Sequence, residues 1–349
     1  FSRQLAIKLG SGIGYNARII TITKGRYVDR HTQLQKWLES LSADTYIDLN
    51  PASADASFRQ YFRVTNRHDG KTYIVMDAPP DKEDCHPFAL VTDLIRGVGA
   101  NAPDILAIDI NQGFLLLDDL GNKPYLDHLD DETAEELYTD AIKALVKMQS
   151  IDGLLPAYDE KLLQTEMDLF ETWYLNRHLD IELNQDQKDI LAFIYQLLIK
   201  NALEQPQVFV HRDYHSRNLM ITDENNPGII DYQDAVIGPI TYDLVSLFKD
   251  CYIEWPRDKV EHWLEVYLAN LAPERFIEKD QLIHWFDLMG VQRHLKVLGI
   301  FARLNYRDGK SQYLNDLPLT LKYVLDTCSM YEELQPLNEL LQSFDLDKH

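Results

Sequence analysis

Residues with a clear capacity for chemistry lie at the ends of two short apolar runs. The run 208–210 leads into the segment HRDYHSRN at 211–218, and the run 229–230 leads into Asp231. A carboxylate held in a fixed position can accept a proton from a reacting hydroxyl group. Carboxylate and amide oxygens are also the donors that Mg²⁺ prefers in proteins. These residue types therefore favour Asp213 as a general base, with Asn218 and Asp231 as magnesium ligands.

The spacing of these residues is that of a catalytic loop. Asp213 lies five residues before Asn218. Protein kinases have the same spacing in the loop H-R-D-x-x-x-x-N, where the aspartate orients the acceptor hydroxyl and the asparagine binds a metal ion. Asp231 then stands in the place of the kinase aspartate that joins the metal to the phosphates. An isolated aspartate would more often cap a turn, but this ordered set predicts phosphoryl transfer.

The same segment resembles the aminoglycoside phosphotransferase and choline kinase superfamily. The H-x-D-x-H-x-x-N motif of that superfamily is matched by His211, Asp213, His215 and Asn218. The resemblance implies an α+β, bilobal, protein-kinase-like fold with a small β-rich N-lobe and a larger helical C-lobe. It also implies ATP and Mg²⁺ as cofactors. His211, His215 and Asp243 are expected to support the catalytic loop structurally.

The elements that must position these residues follow from hydrophobic periodicity. Apolar residues at helical spacing predict a helix from about 31 to 41, and β-rich segments flank a turn-forming stretch, as in a hairpin. The predicted strands are 58–65, 71–77, 105–110 and 114–117. Further helical segments are predicted at 134–148, 159–179, 186–203, 241–254, 258–271 and 279–305.

These elements predict the division of the chain into lobes. We expect an extension of unknown role at 1–29 and a nucleotide-binding N-lobe with the hinge at 30–120. The helical C-lobe, with the catalytic loop and the substrate site, is expected at 121–349. A chain of 349 residues is long for one hydrophobic core, which also favours two lobes.

Charge and composition restrict the partners and the compartment. The formal net charge of -22 repels phosphate backbones and anionic lipid, so we expect neither nucleic acid nor a membrane as partner. The three cysteines are far apart, and we find neither an apolar run of about 18–20 residues nor a signal peptide. These features indicate a cytoplasmic protein. We expect a monomer that binds a small-molecule substrate.

The predicted phosphate-covering loop at 53–63 departs from the kinase pattern because it has no glycine. Small residues in the loop still permit close backbone approach to a ligand. Backbone amides near Phe58 and the side chains of Ser57 and Arg59 are therefore the expected phosphate contacts. An ordinary hairpin turn is the alternative interpretation of this stretch.

The phosphate-pairing lysine of kinases is also missing. The predicted third strand carries Asp77 near the place where that lysine is expected. Another cation must substitute, and Arg59 and Arg63 are the candidates. The apolar run that follows at 115–117 resembles the hinge of the family, so backbone groups near Asp119 and Leu120 are expected to bind adenine.

Segments outside the catalytic loop indicate the acceptor substrate. The stretches 55–59, 76–80, 233–235 and 289–304 resemble the bacterial N-acetylmuramate and N-acetylglucosamine anomeric kinases (AmgK-type). This resemblance covers roughly residues 31–330. It implies ATP-dependent phosphorylation of the anomeric hydroxyl of an amino sugar to give the sugar 1-phosphate in peptidoglycan recycling. Asp213 would accept the anomeric proton.

Four residues are candidates for contacts with such a sugar. Arg293 and His294 are candidates to receive the lactyl carboxylate of muramate. Trp173 could offer an aromatic face to the sugar ring, and Asp234 could accept a hydrogen bond from a sugar hydroxyl. For the arginine, the histidine and the tryptophan, packing or a salt bridge is the alternative role.

Two other functions stay open. An acidic surface favours cationic substrates, so an aminoglycoside- or choline-type kinase is the alternative within the same fold. The missing lysine and the glycine-free loop also fit a catalytically dead nucleotide-binding module.

Overall fold

The computed structural model describes residues 29–42, 45–54 and 58–344. The predicted extension at 1–29 lies outside these ranges except for Asp29, and Ser57 of the predicted phosphate-covering loop also lies outside them. Within them, no helix combines the length and apolar character needed to span a membrane.

The N-lobe is built on a five-stranded antiparallel sheet. Its strands are β1 (Tyr46–Ala54), β2 (Gln60–Asn66), β3 (Thr72–Asp77), β4 (Ile105–Asp109) and β5 (Phe114–Asp118), in the order β1-β2-β3-β5-β4. Helix α1 (Arg30–Leu41) packs Leu34, Trp37 and Leu38 against the sheet. These three residues belong to the apolar stripe that predicted the helix, and their burial explains why the stripe is apolar.

The hairpin predicted from the turn-forming stretch is formed by β2 and β3. The strands pair Thr65 with Thr72, and the turn contains Gly70 at a φ of 71°, a value that glycine adopts readily. Strands β4 and β5 occupy the places predicted for the second pair. Strand β1 was not predicted as an element of its own. Pro51, the left-handed Asp48 and two register shifts interrupt its pattern.

Helix α2 (His86–Gly97) connects β3 to β4 and was also not predicted. It buries Phe88, Val91, Thr92 and Ile95. Their spacing is the i, i+3, i+4, i+7 pattern of an amphipathic helix, so the sequence did contain the signal.

The C-lobe is mainly helical. Its helices are α3 (Ala134–Met148), α4 (Glu160–Leu169), a π-helix (Phe170–His178), α5 (Gln185–Glu204), α6 (Tyr242–Phe248), α7 (Arg257–Asn270), α8 (Lys279–Asp308), α9 (Leu317–Met330) and α10 (Gln335–Gln342). Two short antiparallel pairs lie among them: β6 (Gln207–Val210) with β9 (Val236–Pro239), and β7 (Leu219–Met220) with β8 (Gly228–Ile229). The architecture confirms the predicted α+β fold with a small β-rich N-lobe and a larger helical C-lobe.

Helix α8 is the central helix of the C-lobe. Every residue from 286 to 299 is buried, and α4, α5, α6, α9 and the π-helix pack against it. A helix that is buried on all sides belongs to the core. Polar residues at 292–294 and 296 therefore lie inside the lobe, where each needs a partner.

The predicted helix at 241–254 is too long. Helix α6 ends at Phe248, and Asp250 accepts hydrogen bonds from the backbone N–H groups of Tyr252 (2.9 Å) and Ile253 (3.0 Å). These bonds form a turn that ends the helical ladder. The same carboxylate accepts from the hydroxyl of Ser216, so the turn also contacts the segment 211–218.

Candidate active site

Two short strands bring the predicted catalytic residues together. β6 delivers the chain into the segment 211–218, and β8 delivers it into Asp231. Asn218 joins the two segments, because its Nδ2 donates to the carbonyl oxygen of Asp213 (3.0 Å) and to Oδ2 of Asp231 (3.3 Å). Asp213, Asn218 and Asp231 therefore form one cluster, as the kinase-like spacing predicted that they would.

The backbone beside and within the cluster has an unusual conformation. Arg212 has a φ of 78° and Asp231 a φ of 65°. Both values lie in the left-handed region, which is uncommon for residues other than glycine. Such conformations persist when the surrounding contacts fix them.

Asp243 supplies part of that fixation. Its carboxylate accepts hydrogen bonds from the backbone N–H groups of His211 (2.7 Å) and Arg212 (3.0 Å). The carboxylate lies on α6 and is buried, and burial raises the pKa of Asp243 to about 7. These two bonds connect α6 to the segment 211–218, and the supporting role of Asp243 stays a prediction.

His211 links the segment 211–218 to Ile230 through its two ring nitrogens. Its Nε2 donates to the carbonyl oxygen of Ile230 (3.1 Å), while its Nδ1 accepts from the backbone N–H of Asp213 (3.3 Å). A ring that donates at one nitrogen and accepts at the other is neutral. Burial lowers the pKa of His211 to about 4, in agreement with a neutral imidazole.

His215 packs its ring edge-on against Tyr252, with 5.4 Å between the ring centroids. Burial lowers the pKa of His215 to about 3, so this ring is also neutral. Its Nδ1 is buried and has no hydrogen-bond partner in the described part of the chain.

The Asp213 carboxylate lies in a positive environment. Burial favours its neutral form, but the charges of Lys296 and Arg293 on α8, and of Arg212, outweigh burial and lower the pKa of Asp213. The carboxylate is therefore ionised at neutral pH. An ionised carboxylate at this place can accept a proton from a hydroxyl group.

Two polar residues beside the cluster were missed from the sequence. Lys296 donates to the Tyr242 hydroxyl (2.9 Å) and forms an ion pair with Glu166 on α4 (3.1 Å). Glu166 lies on the apolar stripe of its helix, together with the buried Leu163 and Met167. A charged residue on such a stripe is a signal for a buried polar contact, and the sequence contained it.

The predicted nucleotide residues of the N-lobe divide into two groups. Arg59 is buried and forms an ion pair with Glu83 (2.9 Å), which also accepts from the backbone N–H of Phe58 (3.1 Å). Arg63 has different partners. Its guanidinium donates twice to Asp119, at 2.6 and 3.0 Å, and once to the carbonyl of Gly121.

This pairing changes the interpretation of Arg63. A bidentate arginine–carboxylate pair is strong and directional, so it holds the guanidinium at the hinge. Arg63 is thus directed to the hinge, whereas Arg59 lies within the predicted phosphate-covering loop, directly before β2. Leu120 follows in the hinge, and its side chain lies against Gly228, where an added Cβ would meet its Cδ1 at 3.0 Å.

The predicted sugar contacts lie in different surroundings. Arg293 is buried on α8, and its Nη1 has no partner among the described residues. His294 stacks on Tyr323 and donates from Nε2 to the carbonyl of Lys249 (2.9 Å). These contacts favour the packing alternative for His294.

The other two candidates differ in exposure. Trp173 lies in the π-helix and is partly buried against the main core. Asp234 is exposed, and its carbonyl oxygen lies 3.4 Å from Nη1 of Arg212. Asp234 lies three residues after Asp231, on the loop between β8 and β9.

Comparison with known proteins gives the class. The chain belongs to the phosphotransferase enzyme family, whose sequence pattern matches residues 48–279. It is therefore an enzyme that transfers phosphoryl groups, and the kinase activity of the family implies ATP as donor.

Curated relatives narrow the class further. The chain is 46% identical over 332 residues to the N-acetylmuramate/N-acetylglucosamine kinase of Pseudomonas aeruginosa, covering 90% of this chain and 96% of that protein. It is 42% identical to the protein of the same name from Neisseria meningitidis serogroup B, with 90% and 96% covered.

Solved structures give the fold. The choline kinase LicA from Streptococcus pneumoniae superposes with a TM-score of 0.61 at 13% identity, covering 85% of this chain and 99% of that chain. The ADP-bound aminoglycoside phosphotransferase APH(2'')-Ib gives 0.55 at 13% identity, with 83% and 97% covered. These similarities confirm the protein-kinase-like fold.

Proposed function

We propose that this enzyme transfers the terminal phosphoryl group of ATP to the anomeric hydroxyl of N-acetylmuramate and N-acetylglucosamine. The product would be the sugar 1-phosphate. The observation that carries the proposal is the cluster of Asp213, Asn218 and Asp231, which Asn218 holds together with two hydrogen bonds. The names of the relatives at 42–46% identity support the choice of sugar.

Asp213 is the proposed general base. The positive charges around it keep the carboxylate ionised, so it can orient the anomeric hydroxyl and accept its proton as the hydroxyl oxygen attacks phosphorus. The hydrogen bonds of Asp243 and His211 to the backbone at 211–213 hold the loop that carries this carboxylate.

Asn218 and Asp231 would hold Mg²⁺. The donor set fits the ion, because Nδ2 of Asn218 is used in the two hydrogen bonds described and its Oδ1 remains for a hard cation. Gln233 orients the Asp231 carboxylate by donating to its Oδ1 at 2.8 Å. When bound, Mg²⁺ would neutralise charge on the phosphates.

Arg59 is the proposed substitute for the missing lysine. Glu83 holds the buried Arg59 at the end of the phosphate-covering loop, much as a glutamate holds the phosphate-pairing lysine in protein kinases. Backbone groups near Asp119 and Leu120 would bind adenine. The ADP bound to the related phosphotransferase supports a nucleotide site in this fold.

Arg293 is the proposed partner for the lactyl carboxylate of muramate. A buried guanidinium with an unpartnered Nη1 carries an uncompensated desolvation cost, which an anionic ligand would relieve. Trp173 and Asp234 remain proposed contacts for the sugar ring and its hydroxyls. We place the reaction in the cytoplasm, in peptidoglycan recycling.

A transfer assay tests the proposal. The enzyme is incubated with ATP and magnesium and with N-acetylmuramate, N-acetylglucosamine, kanamycin or choline, and the product linkage is read by phosphorus NMR. We expect a sugar 1-phosphate from the two amino sugars. Product from the cationic substrates alone would contradict the proposal in favour of an aminoglycoside- or choline-type kinase, and no transfer at all would favour a dead nucleotide-binding module.

A further inference from the structure

A buried carboxylate on α4 has three donors around it. Glu166 is 6% exposed. It accepts from the guanidinium of Arg212, from the Tyr158 hydroxyl and, at 3.1 Å, from the ammonium group of Lys296. All of its partners come from other segments of the chain, so the carboxylate joins α4 to α8 and to the catalytic loop.

Arg212 is the link to the reaction centre. It precedes Asp213 directly, and its φ of 78° sets the direction in which the chain continues. Asp243 holds its backbone N–H, and the carbonyl oxygen of Asp234 lies 3.4 Å from Nη1 of its side chain. The ion pair with Glu166 holds the side chain as well.

We propose that Glu166 is a positioning residue for Asp213, acting through Arg212. The Glu166 carboxylate fixes the Arg212 side chain, and with Asp243 on the backbone it holds the left-handed residue from both sides. Lys296 and Tyr158 fix the carboxylate in turn. This role rests on the proposed function of Asp213 as the general base.

The chain contains a matched control. Asp287 on α8 is also buried, and it too is surrounded by a lysine, an arginine and a tyrosine. Its partners are Lys249 (3.2 Å), Arg257 (2.6 and 2.8 Å) and Tyr331 (2.8 Å). None of these partners adjoins Asp213 in sequence. Breaking either network should cost stability, whereas only the Glu166 network should affect the chemical step.

The test compares Glu166→Gln with Asp287→Asn in the full chain. For each variant, kcat and KM for ATP and N-acetylmuramate, ADP binding by calorimetry and the melting temperature are measured. We expect both variants to melt at lower temperature. Only Glu166→Gln should lose kcat, by about 10²-fold as expected for a displaced reacting group, with KM for ATP and ADP affinity changed by less than about two-fold.

A double-mutant cycle provides a second test of the coupling between Glu166 and Arg212. Because Glu166 acts through Arg212, Glu166→Gln combined with Arg212→Met should lower kcat no further than the stronger single variant. Tyr158→Phe removes one hydrogen-bond donor to Glu166 and no charge. It replaces Glu166→Gln in the test if that variant does not fold. It should lower kcat by about 3- to 10-fold if one lost hydrogen bond loosens the carboxylate.

If Glu166→Gln folds, three outcomes would overturn the inference. They are wild-type kcat in Glu166→Gln, an equal loss of kcat in Asp287→Asn, and full additivity in the cycle. If Glu166→Gln does not fold, wild-type kcat in Tyr158→Phe overturns it. An Asp213→Asn variant measured alongside separates the two proposals. If Asp213→Asn keeps its turnover, the base assignment fails; if it loses turnover while Glu166→Gln does not, only the positioning role fails.

Discussion

At the scale of single residues, the proposed role of Asp213 as general base depends on how charge is distributed around its carboxylate. Asp213 is surrounded by Lys296, Arg293 and Arg212, which together overcome the cost of its burial and lower its pKa. Two of these cations already have carboxylate partners, because Lys296 and Arg212 both pair with Glu166. Arg293 interacts with Asp213, Cys251 and two tyrosine hydroxyls, but its Nη1 has no hydrogen-bond partner among the described residues, which makes it the proposed group for an anionic substrate.

Arg293→Met should separate the two sugars. N-acetylmuramate carries the lactyl carboxylate and N-acetylglucosamine does not. We expect KM for N-acetylmuramate to rise by about 10- to 10²-fold, the usual effect of losing a hydrogen bond to a charged group, and KM for N-acetylglucosamine to change little. Steady-state kinetics with both sugars check this. Arg293→Lys should recover part of the loss, and an equal change for both sugars would favour a packing role.

The proposed catalytic residues could be named from the sequence because their spacing is local. Asp213 and Asn218 lie on one loop, and Asp231 follows a recognisable strand. The pairing of Arg63 with Asp119 joins residues 56 positions apart and depends on how β2 meets the hinge. No local pattern indicates it, so the choice between Arg59 and Arg63 required the structure.

At the scale of elements, the approach of α4 to α8 decides whether the Glu166 network can form. Gly299 lies against the backbone of Leu169, where an added Cβ would come within 2.4 Å of the carbonyl carbon. Each of these residues is three positions from a member of the network, Lys296 on α8 and Glu166 on α4. The absence of a side chain at Gly299 therefore allows the two helices to approach closely enough for the ion pair.

Gly299→Ala should destabilise the fold, and Gly290→Ala should not. At Gly290, on the same helix, an added Cβ has its nearest contact at 3.8 Å, which is an ordinary distance. We expect Gly299→Ala to lose about 1–3 kcal/mol through overpacking. Gly290→Ala should gain about 0.5–1 kcal/mol from the better helix propensity of alanine. Urea unfolding measures both, and equal stability of the two variants would contradict the close approach.

The elements were predicted unevenly, for physical reasons. Segments with one clear apolar face, such as α1 and α3, were found from periodicity. Strand β1 escaped because Pro51 and two register shifts break its alternation. The end of α6 was placed too late because apolar residues continue past Phe248, while the turn formed by Asp250 stops the helix.

At the scale of the whole molecule, buried neutral histidines couple stability to pH. Burial lowers the pKa of His211 to about 4 and those of His215 and His294 to about 3. In the unfolded chain a histidine titrates near ~6.5. Between these pKa values the unfolded state binds more protons than the folded state. The contribution of these histidines to the free energy of unfolding is therefore complete above about pH 6.5 and decreases as the pH falls toward 4.

Asp243 acts in the opposite direction, as do Asp118 and Asp250, because burial raises the pKa values of all three carboxyls. The pKa of Asp243, raised to about 7 by burial, means that the folded state takes up one proton over the same range, which offsets one histidine. We therefore expect the unfolded state to bind up to about two more protons than the folded state in this range. The free energy of unfolding then falls by at most roughly 2.7 kcal/mol for each unit by which the pH is lowered. Denaturant unfolding between pH 7 and pH 4.5 measures this. His294→Gln should flatten the curve, the exposed His68→Gln should not, and a pH-independent stability in the wild type would contradict the account.

The most direct test of the central claim is the turnover of Asp213→Ala with ATP, magnesium and N-acetylmuramate, with ADP binding measured on the same sample. The account predicts that kcat falls by at least about 10²- to 10⁴-fold, the usual contribution of a positioned general base, while the variant still folds and its ADP affinity changes little. Wild-type turnover in this variant would contradict the assignment of Asp213 as the base.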